Sequence, residues 1–537
     1  MTVPAISHAR TSSPEFTIRL DPREAFATVR SLLLDARYDE PTVAARLGGS
    51  TLVGVPRIVD GRKSLRGPVE DANAALIRLF LDGESLPAAL VQQHFGVEAF
   101  AACQALALLA PSSDDLTTLA PTVMLVPTRE LWLASDLRPV SANTENARQD
   151  FVFSAINDLT SQFLSVVPDA PGARVIELCA GTGVAALGAA RRGAASVVAA
   201  DLVPRCVHFA RFNTLLNDLA DRVSVVESDA GDALAGETFD LVVAHPPYVA
   251  AFAHRFDFRD AGEDGEQVTR RIVEGLSEHV APGGRVVLRA ALSDRRGATI
   301  AQRVRQWLGA TAEEFDLIQL DTSTYGPMEA YRSVANFRAD FVDCERWLRH
   351  FDALGIERFA ICVLELRRDA YGRAPITERR VLGSAIDHRA MDWHFRWARF
   401  VAEAGATAQD RLAGLRPRVA PGVRVAVHLQ SDTDGSWQTV GVQVETAWPS
   451  HGIVKAPALA PTLLELCDGT RDVPALLDGL REAGLINEDV GLSEVAHLVE
   501  VLAAAGALSL PTCPIPTYPI ASLVTELGGS QSEIRRP

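Results

Sequence analysis

Nowhere does this chain carry an uninterrupted apolar run near the roughly 20 residues that a membrane-spanning helix requires. Its opening stretch, "MTVPAISHARTSSPEFTIRL", lacks the apolar centre of a secretory signal and reads as a flexible lead-in, so a cytoplasmic location is expected. Paired cysteines are missing too. Cys103, Cys179, Cys206, Cys344, Cys362, Cys467 and Cys513 are scattered, odd in number and never in a C-x-x-C pair. That excludes a disulfide framework and a zinc ribbon, and reduced thiols are expected. His388 and His394 stand six apart and near no cysteine pair, so no metal site is expected. Positive charge is in deficit: the formal net charge is −16. An acidic surface repels phosphate backbones and disfavours nucleic acid as a partner. There is no repeat of solenoid period and no low-complexity tract.

What is present is a multidomain composition. At 537 residues the chain exceeds one ordinary domain, and 47% hydrophobic with 22% charged residues is normal for a globular protein. Residues 1–20 form the lead-in. Residues 21–148 read as a helical, winged-helix-like domain: Asp21, Pro22 and Gly48 punctuate its first helices, and breaks fall at Asp82-Gly83 and near Gly96. "TVMLVP" and "LWLASDL" then form a β-pair, without an arginine- or lysine-rich recognition helix. From 149 to 370, short β-branched runs ("ARVIELCA", "SVVAAD", "VSVVESD", "FDLVVAHPP", "GRVVLRA") alternate with helical stretches, which indicates a parallel sheet covered by helices. "EEFDLIQLDTST" and "RFAICVLELRRD" read as two further strands, with a helical insertion at about 325–356 placed over the active site. Residues 371–455 read as an α+β extension with an Asp-Gly hairpin, 456–510 as a small winged-helix-like unit of three helices and a strand, and 511–537 as a flexible tail.

Residues 174–248 carry the chemistry. "RVIELCAGTGVAALGAA" is a strand, a glycine turn and a helix start; Gly181 and Gly183 allow a tight turn and close approach of a ligand, and the helix N-terminus can aim N–H groups at it. The next strand ends in Asp201, an acid positioned for ribose hydroxyls, and the third in Asp229. The fourth ends in His245-Pro246-Pro247-Tyr248. Two prolines cannot continue a sheet ladder, because neither has an N–H to donate. Ligands bind beyond the carboxyl ends of strands in an open parallel sheet, so four consecutive ends point at one site.

This order resembles the class I S-adenosylmethionine-dependent methyltransferases over residues 150–290. The implied fold is a Rossmann-like α/β sheet, flanked by the winged-helix-like N-terminal domain and the α+β C-terminal extension. The resemblance implies S-adenosyl-L-methionine as cofactor, held by Glu177, Ala180, Gly181, Thr182, Gly183, Asp201, Leu202, Asp229 and Ala230. Cys179 stands where the family signature has its first glycine. His245-Pro246-Pro247-Tyr248 is similar to the (Asn/Asp/Ser)-Pro-Pro-(Tyr/Phe) motif of enzymes that methylate planar or amide nitrogens, among them release-factor glutamine and ribosomal-RNA methyltransferases. By that resemblance His245, Pro246 and Tyr248 are the catalytic residues, aligning an acceptor nitrogen with the methyl group. A histidine in first place accepts one hydrogen bond or one proton but lacks an amide's paired donor and acceptor. Phe151, Phe153 and Ser154 are placed over the cofactor, and His254 near the pocket.

"LLELCDGTRDVPALLDGLREAG" resembles small winged-helix domains that bind leader peptides in ribosomal-peptide biosynthesis, though "DGTR" is equally a helix stop and cap. The expectation that follows is N-methylation of a small specialised metabolite or peptide. Alternatives are a ribosomal-RNA or translation-factor N-methyltransferase, an O-methyltransferase and a non-catalytic cofactor-binding scaffold. A homodimer is possible, and no membrane partner is expected.

Overall fold

The computed structural model describes residues 16–53, 55, 65, 67–137, 148–335, 343–382, 386–403, 407–449 and 451–515. Residues 1–15 of the expected lead-in and 516–537 of the expected tail lie outside them. The chain divides into two compact units, with the main break between His279 and Val280 and not at 148.

The first unit begins with helices Glu24–Asp35, Glu40–Arg46, Ala72–Leu76 (continuing as a wider turn over Ile77–Leu81), Ala88–Phe95 and Val97–Ala105. Gly83 and Gly96 end two of these runs at positive φ. Strands Leu86–Pro87, Thr118–Pro121 and Leu109–Pro111 form a small antiparallel sheet with Thr118–Pro121 in its centre. The β-pair read in the sequence is the hairpin Met124–Thr128 with Leu131–Ser135.

Four parallel strands follow: β1 (Arg174–Leu178), β2 (Ser196–Asp201), β3 (Val223–Glu227) and β4 (Phe239–Ala244). Their spatial order is β3-β2-β1-β4. Covered on both faces, β1, β2 and β4 are largely apolar along their length. Helix α1 (Val184–Arg191) is rich in alanine and buried from Val184 to Ala190; helix α2 (Pro204–Leu216) opens on a proline whose missing N–H costs nothing there. Phe209, Phe212 and Leu216 of α2 enter the same core as Phe26, Val29 and Leu33, and the Phe26 and Phe212 rings meet edge-on at 5.0 Å. Asn213 and Asn217 clamp the strand Leu131–Ser135 to α2. Each accepts one backbone N–H, from Ala134 (2.7 Å) and Trp132 (2.9 Å), and donates back to the carbonyl of that residue. Helix α3 (Gln267–His279) closes the unit, burying Ile272, Val273 and Leu276.

The second unit holds β5 (Val280–Arg295), β6 (Asp316–Tyr325), β7 (Ile356–Arg367) and β8 (Thr377–Val381). β7 lies antiparallel to both β5 and β6, and β8 runs parallel to β6. Helices Pro327–Ala335 and Cys344–Ala353 occupy the expected insertion. Helix α4 (His388–Glu403) precedes a three-stranded antiparallel sheet, β9 (Arg424–Ser431), β10 (Trp437–Thr446) and β11 (Gly452–Ala456). Helices α5 (Ala460–Leu466), α6 (Val473–Glu482) and α7 (Leu492–Ala504) follow, and strand Leu508–Ser509 pairs with Arg418–Val419. His394 lies in α4, 1% exposed, and His388 begins that helix. In the "DGTR" run, Asp468 accepts from the Thr470 N–H and hydroxyl and pairs with Arg471, a local turn-capping role. All seven cysteines are free thiols, and no described helix is long and apolar enough to cross a membrane.

Candidate active site

Strand register brings the four strand ends to one edge. Leu178 of β1 pairs with Ala244 of β4 on one side and Ala200 of β2 on the other, and Asp201 pairs with Glu227 of β3. The glycine turn therefore stands directly beside His245-Pro246-Pro247-Tyr248.

Within the turn the backbone is left-handed at Cys179 (φ 56°), Gly181 (φ 54°) and Gly183 (φ 78°). Cys179 takes this conformation with a Cβ, at a cost of roughly 1–2 kcal/mol against glycine. A Cβ on Gly183 would reach within 3.4 Å of the Ala210 Cβ, whereas one on Gly181 meets nothing within 4 Å. Gly181 thus faces open space of the kind a ligand fills.

Three N–H groups of the turn are bonded internally. Ala180 N–H donates to Ala200 O, Gly181 N–H to Asp201 Oδ2 (2.8 Å) and Gly183 N–H to Ala180 O (2.7 Å). The first helical amides of α1, Ala185 and Ala186, donate to Glu177. Glu177 is thus a buried anchor of the α1 N-terminus. Thr182 is buried, and its carbonyl accepts from the Asn213 side chain at 2.9 Å.

Carboxyl groups surround the turn. Burial pushes the Glu177 carboxyl up to about 8 against the two N–H bonds it accepts, and pushes Asp201 up to about 6, with Asp257 adding to the rise. Burial, then the charges of Asp201, Asp229 and Glu177, push the Cys179 thiol above its ordinary value, so it is no nucleophile. Asp201 also accepts from the Val203 N–H at 2.8 Å, while Leu202 is left exposed at the strand end. Asp229 pairs with Arg271 of α3 at 2.9 Å, and Ala230 (φ 50°) and Gly231 (φ 106°) turn the chain away.

At β4's end Pro246 is buried and His245 and Tyr248 are half-buried, their rings 5.7 Å apart and 24° from parallel. The chain then loops out and returns: Val249 N–H donates to Arg259 O, and Ala261 N–H to Val249 O. Gly265 (φ 75°) presses on this return, since a Cβ there would stand 2.9 Å from Ala250 N and Tyr248 O. Asp260 locks the loop by accepting from the N–H groups of Arg255 and Phe256 and from Arg259. Burial would raise its carboxyl, but these bonds hold it below the usual range.

His254 bonds to Asp257 at 2.7 Å, and this partner raises its pKa above the ordinary value, against the lowering effect of burial. The Gln149 side-chain amide donates to the same Asp257 oxygen at 2.9 Å. Phe151, Phe153 and Phe258 form an aromatic wall, the last two stacked at 5.1 Å with both faces reaching solvent. Ser154 is buried, and its hydroxyl accepts from the Ile156 N–H. The sequence reading missed Gln149, Asp257, Phe258 and Arg271. The run "FDFRD" was the available signal for two of them, but its loop has no periodicity to say where it folds.

Residues 147–307 match the family model "Methyltransferase small domain", and the strands β1 to β4 within them form a Rossmann-like parallel sheet. The chain is similar to a sequence named for protein N5-glutamine methylation in Methanocaldococcus jannaschii, 30% identical over 130 residues, covering 23% of this chain and 64% of that one. It is 35% identical over 143 residues to the release factor glutamine methyltransferase of Deinococcus radiodurans (25% of this chain, 50% of that one). It is 27% identical over 125 residues to the ribosomal protein uL3 glutamine methyltransferase of Francisella tularensis (21% and 40%). The chain thus spans less than two thirds of the length of the curated relatives it matches.

The cofactor of such a domain is S-adenosylmethionine, and the residues here fit it. Gly181 leaves room above the turn, and the carboxylates of Asp201 and Asp229 beside it favour a cation. A pyrophosphate would meet the charges of Asp201 and Asp229, so a dinucleotide fits poorly.

Proposed function

We propose that the protein is an S-adenosylmethionine-dependent methyltransferase that methylates a side-chain nitrogen of a protein or peptide. The observation that carries this is the register Leu178 to Ala244, which sets the glycine turn beside His245-Pro246-Pro247-Tyr248. Its relatives support the nature of the acceptor: their names specify glutamine in a release factor or a ribosomal protein. That weighs for a protein acceptor over the small metabolite expected from the sequence.

When bound, S-adenosylmethionine supplies an electrophilic methyl group on a positively charged sulfur. Asp201 and the acidic surroundings of the turn hold that cation. The Pro246 carbonyl and one imidazole nitrogen of His245 accept hydrogen bonds from the acceptor's N–H, and Tyr248 supports its plane. Aligning lone pair and methyl in this way supplies most of the rate enhancement, about 7–11 kcal/mol in well-oriented systems. His245 is also able to take the proton that the nitrogen releases.

The test is methyl-labelled S-adenosylmethionine added to the purified protein with fractionated cell extract. Acid-stable label in protein or peptide is the expected result. Label confined to small molecules or RNA would overturn the acceptor class.

A further inference from the structure

The sheet β9-β10-β11 ends on an unusual edge. β9, at the outside of the sheet, is exposed along its whole length, residues Arg424–Ser431. Eight residues extend about 27 Å, longer than the usual strand. Val425, Val427 and Leu429 alternate onto one face, where their β10 partners Val444 and Val442 are buried in the core of the unit. Leu429 is nevertheless 54% exposed, and Trp437 and Val440 on the same hairpin are 68% and 58% exposed. The devices that protect free edges are absent from β9. It has no lysine, no proline and no bulge of its own, since the extra residue of the β9–β10 irregularity, Val440, belongs to β10. Such an edge is a template for a further strand.

We propose that β9 pairs antiparallel with β9 of a second copy of this chain, joining two three-stranded sheets across a two-fold axis. Charge complementarity selects the partner. Arg424 is the sole lysine, arginine or carboxylate residue of the strand, and Asp432 follows its end. With the axis at His428, Arg424 of each copy faces Asp432 of the other, and Val427 faces Leu429 twice. His428 then meets its own counterpart, each lying over a glycine, Gly441, on its own sheet. Cross-strand apolar and opposite-charge pairs add to the backbone ladder. An isologous contact of this kind closes at two copies and does not propagate.

The experiment is sedimentation of the full chain across the micromolar range. A reversible monomer–dimer equilibrium is expected. Leu429→Lys, at an exposed position, should leave circular dichroism and melting unchanged and weaken the dimer by about tenfold or more. Arg424→Glu should weaken it too, and adding Asp432→Arg to that variant should restore it. His428→Cys should cross-link to its counterpart under mild oxidation, where the wild type does not. A wild-type monomer throughout, or a dimer indifferent to Leu429→Lys, overturns the proposal. So does hydrogen-exchange protection of β9 that develops only on adding a peptide substrate, which would give the edge to a different partner.

Discussion

Two residues at the site separate binding from alignment. In the proposed reaction His245 meets the acceptor, and it takes no part in the glycine turn's own hydrogen bonds, so His245→Ala should retain affinity for S-adenosylmethionine. Methyl transfer should fall by about 10²-fold, the scale of a lost alignment; calorimetric titration and a transfer assay measure the two separately. Glu177 governs the turn from below. Its carboxyl stands near 8 when folded against 4.5 when free, so the folded chain holds the proton more tightly. The stabilisation from this group is therefore full below about pH 4.5 and is lost as pH rises through about 8. Melting temperature against pH should show that loss in the wild type, and Glu177→Gln should flatten this part of the profile. His245 and Glu177 were both visible in the sequence. Glu177's duty was not, because which amides a carboxylate accepts depends on where the next helix begins.

At the scale of elements, the loop after β4 is held by close approach as much as by bonds. Gly265→Ala would push a Cβ into the backbone of Tyr248 and Ala250. It should cost about 1–3 kcal/mol of stability and lower kcat with little change in cofactor affinity; denaturation and steady-state kinetics test this. Strands β1 to β4 were readable as elements, since fully buried parallel strands are short apolar runs bounded by turn residues. The loop from Ala250 to Asp260 was not. Its order rests on Asp260, which bonds within the loop, and on two contacts between residues far apart in sequence: Gln149 bonded to Asp257, and Phe151 and Phe153 against Phe258. The helical region before the sheet shows the same limit: composition separates it from the sheet, yet its core includes Phe209 and Phe212 of α2.

For the molecule as a whole, a ligand that binds only the folded state raises stability by mass action. At a hundredfold excess over Kd, S-adenosylmethionine should add about 2.7 kcal/mol and raise the melting temperature by several degrees. Gly181→Ala places a methyl in the open space above the turn and should largely remove that shift while the apo protein still folds. A net charge of −16 predicts no comparable shift with RNA, and a thermal melt with and without RNA checks it.

By itself the sequence determined the order of chemistry along the chain: glycine turn, Asp201, Asp229 and His245-Pro246-Pro247-Tyr248. Each sits at the end of a short apolar run, and a parallel strand's side chains and its terminating residues are local properties. Only the tertiary structure decided how the turn's hydrogen bonds are allotted, that Asp257 stands within electrostatic reach of Asp201, and that β9 is left as a bare apolar edge. Those outcomes depend on which backbone groups and charges meet after the chain has closed on itself, and no local pattern of residues encodes such meetings.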